Sequence, residues 1–457
     1  MEKVRRLKIP SEIAALLSAL QLGKRNMEPL RALKEDQWRS LLEFCDTAHL
    51  TLVLAQLPTE NFPVWLADRL KRNLADNALR YENIRSIYQE AATALDRAGI
   101  PHIIIKGFTQ APGYVARPEL RSQSDLDFVC PPNQIQAAQA ALEEIGYRSH
   151  KTTNIAFADH SDAMTRLGNW QWKGNRFDPA MPLGIELHFC LWNSTVSRVT
   201  IPEIDSFWDR RTRRKIDEFS FSCLSPVDHL GHLALHVLRN LLLSDWIINH
   251  VYELAVFLHS HAEDDAFWNE WLVSHSPSLR SLEALAFYHA RAWFGCRLHS
   301  CVEQEIARLP ASQLGWLERF SGSSLENMFQ PNRDALWLHL CLLPSSKDKW
   351  KIFRRILIPP HVASLSSPVV RVRNKKTLQS TAGPVRQYLG YLISRSTTHS
   401  IARIVTLYHG ILWWISPICH RDSITPRHIN ATKDHSLISA HESELPASHQ
   451  PSRLNLE

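Results

Sequence analysis

The chain has 457 residues, of which 44% are apolar and 21% charged, which is the composition of an ordinary globular protein. At about 150 residues per domain, this length predicts two or three folded units. Only 15 residues are glycine. This scarcity excludes a glycine-rich fibrous or low-complexity chain and favours helix over sheet.

The charge balance, 52 Lys+Arg against 46 Asp+Glu, gives a net charge of +6, which is no strong signal for nucleic-acid binding. The eight cysteines are scattered without a C-x-x-C pair. The N-terminus lacks the apolar core of a secretion signal. The longest apolar candidate, 404–419, is shorter than the roughly 20 residues that span a bilayer. We therefore expect a cytoplasmic protein with reduced thiols and no transmembrane segment.

The first region, 1–98, reads as helical. Ser11 follows Pro10 and is a candidate N-cap for a helix that ends before Gly23. A longer helix is predicted after Pro63, with apolar residues at helical spacing as far as Gly99.

The region 99–225 alternates between short strands and one helix, which indicates an α+β core. The helix begins at Pro131-Pro132, runs to Ile145 and is closed by Gly146. The predicted strands are 100–105, 126–129, weaker ones near 147–158 and 168–178, 185–192, and one alternating run over 216–224.

The region 226–421 is again helical, with helices predicted from Ser225-Pro226 onward, over 246–258, and over 386–415. A basic stretch covers 347–376 and is followed by Tyr388, Tyr391 and Trp413-Trp414. It allows peripheral contact with a membrane surface or with nucleic acid, although a solvated basic face is the simpler interpretation. The last segment, 422–457, is rich in Ser, His, Pro and charge, and we predict that it is disordered.

The sharpest local feature is Asp125-Leu126-Asp127. In a strand, residues i and i+2 point to the same face, so both carboxylates project together. Two carboxylates this close repel each other, and Mg²⁺, which prefers oxygen ligands, would remove that repulsion. Alone, the triplet also fits an edge pair or a turn cap, because such triplets occur by chance in a chain of this length.

Other residues in this region strengthen the metal hypothesis. A predicted strand ends in Lys106-Gly107, where a glycine permits close approach of backbone to phosphate. Arg121 precedes the acid pair and is placed to reach an anion, while Glu186 supplies a third acid on another strand. Two alternatives stay open: Lys106 as a solvated lysine, and Arg121 paired with Glu119 or an aspartate.

The order of these motifs resembles the uncharacterised bacterial nucleotidyltransferases of the DNA polymerase β-like superfamily. The matching residues are Lys106-Gly107, Arg121, Asp125-Leu126-Asp127, Gly146-Tyr147, Glu186-Leu187-His188, Ser225–His236, Tyr252-Glu253-Leu254 and Ile358-Pro359-Pro360. The chain departs from the superfamily pattern in having Lys before the glycine, 18 positions from Gly107 to Asp125, and Glu as the third acid. The resemblance implies a mixed sheet with flanking helices, set between helical N- and C-terminal regions.

The resemblance also implies a function. Asp125, Asp127 and Glu186 would be the catalytic acids and would bind two Mg²⁺ ions. Lys106, Gly107 and Arg121 would hold the nucleoside triphosphate. An NMP group would pass to an unknown small-molecule, glycan or protein hydroxyl, with release of pyrophosphate. The alternative is a catalytically inactive nucleotide-sensing or scaffolding protein, which gains support if Glu186 points away from the aspartates.

Two histidine features remain. His188 shares the face of Glu186, and we expect it to form hydrogen bonds there rather than to ligate a metal. His229, His232 and His236 share a helix face, which suggests either a metal site or, as we favour, a partly buried helix that packs on the core.

Overall fold

The computed structural model of the chain describes residues 8–60, 62–149, 158–166, 168–245, 248–357 and 400–413. The predicted tail 422–457, Trp246, Ile358-Pro359-Pro360, the residues 358–376 of the basic stretch, Tyr388, Tyr391 and Trp414 lie outside this range. The part of the basic stretch that the structure describes lies in one helix, Ser346–Leu357.

Among the described residues, five strands form a mixed sheet and two form a separate hairpin. In the sheet, the order is β1-β2-β5-β4-β3; β2 and β5 are parallel, and the other neighbours are antiparallel. The strands are β1 Ile103–Ile105, β2 Asp125–Val129, β3 Tyr147–Ser149, β4 Met164–Arg166 and β5 Gly184–His188, with the hairpin β6 Thr212–Ile216 and β7 Phe219–Cys223.

The helices lie before, between and after these strands. They are α1 Ser11–Ala19, α2 Glu28–Arg31, α3 Glu35–Thr47, α4 Thr51–Leu54, α5 Val64–Arg97, α6 Ile135–Glu144, α7 Ser194–Ser197, α8 Ser206–Asp209, α9 Pro226–Leu243, α10 Ile248–Ser260, α11 Asp265–Ser274, α12 Pro277–Phe294, α13 Ser300–Ala307, α14 Ala311–Phe320, α15 Ser323–Glu326, α16 Ala335–Cys341, α17 Ser346–Leu357 and α18 400–413. Among the described helices, none has the length and apolar character needed to cross a bilayer.

The sheet separates two apolar cores. Ile104, Leu126 and Phe128 pack with α5, α6 and the hairpin in the smaller core. Ile103, Ile105 and Val129 face the larger core, which α9, α10 and α12 dominate. Because neighbouring residues of a strand alternate between the faces, the side chains between the apolar ones of β2 point toward the helical side. The acid pair therefore faces α9 and its neighbours.

Several predicted elements are confirmed. Helix α5 begins after Pro63 and ends before Gly99, whose φ is +67°. The Pro131-Pro132 segment opens a short 3₁₀ turn that leads into α6. Helix α9 begins at Pro226, and the Ser225 hydroxyl caps it by accepting a hydrogen bond from the Asp228 amide.

Other predicted boundaries were wrong. Helix α1 includes Ser11, its N-cap is Pro10, and no side chain caps it. Strand β1 begins at Ile103 rather than at residue 100, since Pro101 has no N–H to donate to a neighbouring strand. The run over 216–224 is part of a hairpin, because Asp217 takes φ +50° and turns the chain between β6 and β7.

The weaker strand predictions were correct only in part. The strand expected near 147–158 is β3, which ends at Ser149, and 150–157 lie outside the described residues. The described residues of 168–178 form no strand; Gly168 and Gly174 lie in this irregular segment, and the neighbouring strand is Met164–Arg166. The strand expected over 185–192 ends at His188, after which the chain turns toward Asn193, the N-cap of α7.

Candidate metal and nucleotide site

The register of β2 against β5 brings the predicted acids together. Asp127 lies directly opposite Glu186, while Asp125 lies opposite Gly184 on the same strand pair. Residues that are paired across parallel strands point to the same face, and Asp125 shares the face of Asp127 by the two-residue repeat. All three acids therefore project from the sheet toward the helical region. Glu186 does not point away from the aspartates.

Asp127 lies at the centre of this group and is buried. Its Oδ1 accepts hydrogen bonds from Lys106 Nζ and from His188 Nε2, each at 2.8 Å. Burial alone would raise the pKa of Asp127, but Lys106 and His188 outweigh it and hold the pKa below its usual value. Burial alone would likewise lower the pKa of Lys106, and Asp127 raises it instead. The Asp127 carboxylate is thus ionised and compensated by neighbouring donors.

Glu186 lies at the more open side of the group, with 22% of its side chain exposed. Its Oε2 is 3.8 Å from His188 Nε2 and 3.7 Å from His160 Nδ1. Burial and the charge of Asp127 raise the pKa of Glu186 to about 7. Donor atoms of Asp127, Glu186 and His188 all lie within 4.8 Å of one another, so this group could hold a metal ion.

Asp125 is half-buried and lies beside, rather than within, that group of three. Burial and the charge of Asp127 raise the pKa of Asp125 to about 6. The opposite shifts of the Asp125 and Asp127 pKa values follow from position: Asp127 has hydrogen bonds from two cationic or imidazole donors, whereas the Ser124 hydroxyl is 3.4 Å from Asp125 Oδ2.

The turn after β1 presents Lys106 to the acids. Lys106 has φ +57°, a backbone conformation that residues other than glycine rarely adopt, and Gly107 follows with φ +52°. Gln123 packs against Gly107, accepts a hydrogen bond from the Phe108 amide at 3.0 Å and donates one to the Asp125 carbonyl at 2.6 Å. A Cβ at Gly107 would lie only 2.3 Å from Gln123 Nε2. Glycine is therefore required here by packing as well as by φ.

Arg121 is paired in this structure with an acid that the sequence did not identify as its partner. Its Nε donates to Glu253 Oε1 of α10 at 2.8 Å. Asn77 of α5 holds the same loop by donating to the backbone carbonyls of Glu119 and Arg121. The charge of Arg121 nevertheless acts on Asp125, where it lowers the pKa against the effect of burial.

Helix α9 forms the opposite wall of a small cleft beside the acids, whose volume of about 10 Å³ is room for about one water molecule. Its lining residues are Lys106, Asp159, His188, Leu191, Trp192, His232, His236 and Arg239. His229, by contrast, packs against Tyr114, with ring centroids 4.9 Å apart and the ring planes tilted by 46°. Burial lowers the pKa of His232 and of His236 well below the usual value. The predicted packing of this helix on the core is therefore present, and two of its histidines also reach the cleft.

Four residues of this neighbourhood were not singled out from the sequence: Gln123, Asp159, His160 and Arg239. Gln123 carried a usable signal, because it lies two residues before the acid pair. Asp159 and His160 form part of no motif, and the bridge between His160 and His188 brings them to the sheet.

The fold and the site together define an α/β protein with a candidate acidic metal centre on one face of a mixed sheet. A family of uncharacterised nucleotidyltransferases matches residues 34–295, and the chain belongs to this family. A crystal structure of an antigenic nucleotidyltransferase-like protein from Paracoccidioides brasiliensis is similar at 12% identity and TM-score 0.27, covering 49% of this chain and 97% of that one. No curated protein matches the chain.

Proposed function

We propose that this protein is a Mg²⁺-dependent nucleotidyltransferase that moves an NMP group from a nucleoside triphosphate to a hydroxyl acceptor. The observation that carries the proposal is the pairing of Asp127 with Glu186 across parallel strands, with Asp125 two residues away on the same face. Family membership supports the same reaction class. We further propose a cytoplasmic location, consistent with the free thiols of the described cysteines.

The donor set fits magnesium. Asp125, Asp127 and Glu186 offer carboxylate oxygens, which Mg²⁺ prefers, and two ions would share them. His188 is a weaker candidate ligand, because its Nε2 lies 2.8 Å from Asp127 Oδ1, and a nitrogen that donates a proton there has no free lone pair for a metal. Bound at these carboxylates, the ions would stabilise charge on the phosphates and activate the acceptor hydroxyl.

The chain's own groups would serve the rest of the reaction. The acceptor oxygen forms a bond to the α-phosphorus, the bond from this phosphorus to the bridging oxygen breaks, and pyrophosphate leaves. The hydroxyl proton would pass to Glu186, whose side chain is 22% exposed at the open side of the group. Lys106, Gly107 and Arg121 would bind the phosphates, with Lys106 and Arg121 exchanging their present carboxylate partners for phosphate oxygens.

A second function has its own supporting observation. The Asp127 carboxylate already accepts hydrogen bonds from Lys106 and His188 in this structure, so its negative charge is compensated by the chain itself. If the Lys106–Asp127 ion pair persists and excludes a metal ion, the protein would be a catalytically inactive nucleotide sensor or scaffold. This candidate differs from the first in requiring no divalent ion for nucleotide binding.

A thermal-shift panel separates the two functions. The four nucleoside triphosphates are tested with and without Mg²⁺ on wild type, on Asp127→Asn and on Asp36→Asn, which changes an exposed acid of α3. If the protein is the proposed enzyme, nucleotide should raise the melting temperature of wild type and of Asp36→Asn in a Mg²⁺-dependent way, and it should not do so for Asp127→Asn. Transfer of an α-³²P label into extract should likewise disappear in Asp127→Asn alone. Label transfer at the wild-type rate by Asp127→Asn would exclude the assignment.

A further inference from the structure

Helix α5 carries a row of polar side chains that contact the segments leading into the two acid-bearing strands. The row consists of Asn77, Arg80 and Asn83, which are spaced three residues apart and therefore follow one ridge of the helix. Asn77 and Arg80 are each only 2% exposed. A buried polar group costs free energy unless it is hydrogen-bonded, so the partners of these side chains show what the row holds in place.

Arg80 joins the two segments directly. Its Nε donates to the Gln123 carbonyl at 3.1 Å, two residues before β2 begins. Its Nη1 donates to the Met181 carbonyl at 2.7 Å and to the Asp178 carbonyl at 3.2 Å, in the segment that leads into β5. Because the donors of a guanidinium group lie in a rigid planar fork, this one side chain fixes the two strand entrances relative to each other.

The two asparagines extend this contact on either side of Arg80. Asn77 Nδ2 donates to the Arg121 carbonyl at 3.1 Å and so holds the segment before β2. Asn83 Nδ2 donates to the Pro179 carbonyl at 2.9 Å and so holds the segment before β5. Every acceptor in these bonds, as in those of Arg80, is a main-chain carbonyl. The row therefore fixes the path of the backbone into both strands.

These strand entrances determine the spacing of the acids. Asp125 is the first residue of β2 and lies opposite Gly184, the first residue of β5. The Gly184 amide donates to the Ser124 carbonyl at 3.3 Å. Glu186 follows Gly184 by two residues, so any sliding or separation of the two entrances moves it relative to Asp125. A functional centre requires its groups to be held within about 0.5 Å of the productive geometry, so the entrances must be held with comparable precision.

Arg80 also brings a positive charge close to the acids. Burial lowers the pKa of Arg80, and the negative charges of Asp178 and Asp125 oppose this effect. The guanidinium group remains charged, since arginine is not deprotonated in proteins near neutral pH. Unlike Lys106, it donates to carbonyls rather than to Asp127, so its charge favours the ionised acids without occupying an oxygen that a metal ion would bind.

We propose that Arg80 is a positioning residue of the metal centre and holds β2 and β5 at the separation that lets their acids share metal ions. The effect on turnover rests on the proposed nucleotidyl transfer, whereas the effect on metal binding can be measured without nucleotide. Arg80→Lys tests the geometry, because lysine keeps the charge but presents one ammonium group in place of the planar fork. Asn83→Ala is a milder second variant, since Asn83 is exposed and holds one segment only.

The first measurement is Mn²⁺ binding without nucleotide, followed by electron paramagnetic resonance on wild type, Arg80→Lys, Asn83→Ala and two controls. Arg72→Lys changes an exposed arginine of the same helix, and Ile84→Ala destabilises the helix by removing buried apolar packing. We expect Mn²⁺ affinity at least tenfold weaker in Arg80→Lys and at least twofold weaker in Asn83→Ala. Both controls should bind as wild type does, at a temperature at which each protein is folded.

Two further measurements separate positioning from stability. Hydrogen exchange of the metal-free proteins, read by mass spectrometry, should be faster over 179–186 in Arg80→Lys and Asn83→Ala than in wild type, and unchanged in Arg72→Lys. In α-³²P transfer at saturating Mg²⁺, Arg80→Lys should lower kcat at least tenfold and change the KM for the nucleoside triphosphate much less.

The outcomes distinguish the two proposals. If no protein transfers label but Arg80→Lys still weakens Mn²⁺ binding, nucleotidyl transfer fails and the positioning role stands. Wild-type Mn²⁺ affinity in folded Arg80→Lys overturns the positioning role, and so does an equal loss of affinity in Ile84→Ala, which would assign the effect to stability. Wild type that binds no Mn²⁺ overturns it as well. If Arg80→Lys does not fold, Asn83→Ala decides, and wild-type affinity together with wild-type exchange over 179–186 overturns the role.

Discussion

Lys106 provides the positive charge beside the buried Asp127 carboxylate. Its replacement by methionine should change both the free energy of unfolding and the affinity for a metal ion. Its Nζ lies 2.8 Å from Asp127 Oδ1, and the Lys106 side chain is 20% exposed while that of Asp127 is 4% exposed. Lys106→Met removes the positive charge and keeps the length and apolar stem of the side chain. Asp127 then keeps only His188 as a hydrogen-bond donor, beside the like charge of Asp125.

The magnitudes follow from this geometry. Removing one partner of a buried ion pair costs about 3–5 kcal/mol, and we expect the lower end because His188 continues to donate to Asp127. The substitution should have the opposite effect on metal binding, because it should raise the affinity for a divalent ion. The ion no longer competes with an ammonium group that interacts with Asp127 by about 6 kcal/mol at 2.8 Å and an effective dielectric constant near 20. Because Lys106 can swing away, only part of this energy is recovered, and we expect at least a tenfold rise in affinity, which is about 1.4 kcal/mol.

Mn²⁺ is a suitable probe, because free and bound ions are separated by electron paramagnetic resonance. Binding is titrated without nucleotide on wild type, Lys106→Met, Lys106→Arg and Lys24→Met, the last an exposed lysine far along the chain from the site. Only Lys106→Met should bind Mn²⁺ more tightly, and Mn²⁺ should restore much of its lost free energy of unfolding. A folded Lys106→Met protein that binds Mn²⁺ no better than wild type would refute the idea that Lys106 and the metal compete for Asp127.

Two further predictions concern titrating groups. Asp125 and Glu186 have pKa values of about 6 and 7, above the value near 4 of an unfolded chain, so their contribution to stability falls as pH rises from about 4 to 7. Urea unfolding of metal-free Asp125→Asn should show a shallower fall over this range than wild type, and an equal slope would contradict the assignment. In the helical region, buried His275 lies 3.2 Å from Asp228 and 2.9 Å from Glu283, which overcome the effect of burial and raise its pKa to about 9. His275→Ala should therefore lower the free energy of unfolding at pH 7 by about 3–5 kcal/mol, and a loss under about 1 kcal/mol in urea unfolding would contradict this.

The position of the three acids could be predicted because it depends on local rules. Asp125 and Asp127 share a face through the period of two residues in a strand, and Glu186 shows the same alternation between Ile185 and Leu187. Neither rule needs knowledge of which strands are neighbours. The parallel register that sets Asp127 opposite Glu186 does need this knowledge, and it was not predicted from the sequence.

The partners of the charged groups could not be predicted in the same way. Arg121 pairs with Glu253, which is 132 residues later in the chain, and Arg239 pairs with Asp159, 80 residues earlier. Such pairs depend on how α9 and α10 pack against the sheet, and a single sequence records no distance between them. The hairpin at Asp217 was missed for a local reason. The positive φ of Asp217 reverses the chain inside a run whose apolar residues alternate as in one continuous strand.

Ion pairs between different elements compensate buried charge on the side of the sheet that carries the three acids. These pairs are Lys106 with Asp127, Arg121 with Glu253, and Arg239 with Asp159. These pairs spare the fold the cost of uncompensated buried charge. They also mean that a phosphate or a divalent ion must exchange partners with existing pairs. Affinity for nucleotide and for metal should therefore be coupled through Lys106, because a metal bound at Asp127 displaces this lysine from the carboxylate and leaves it available to the phosphates.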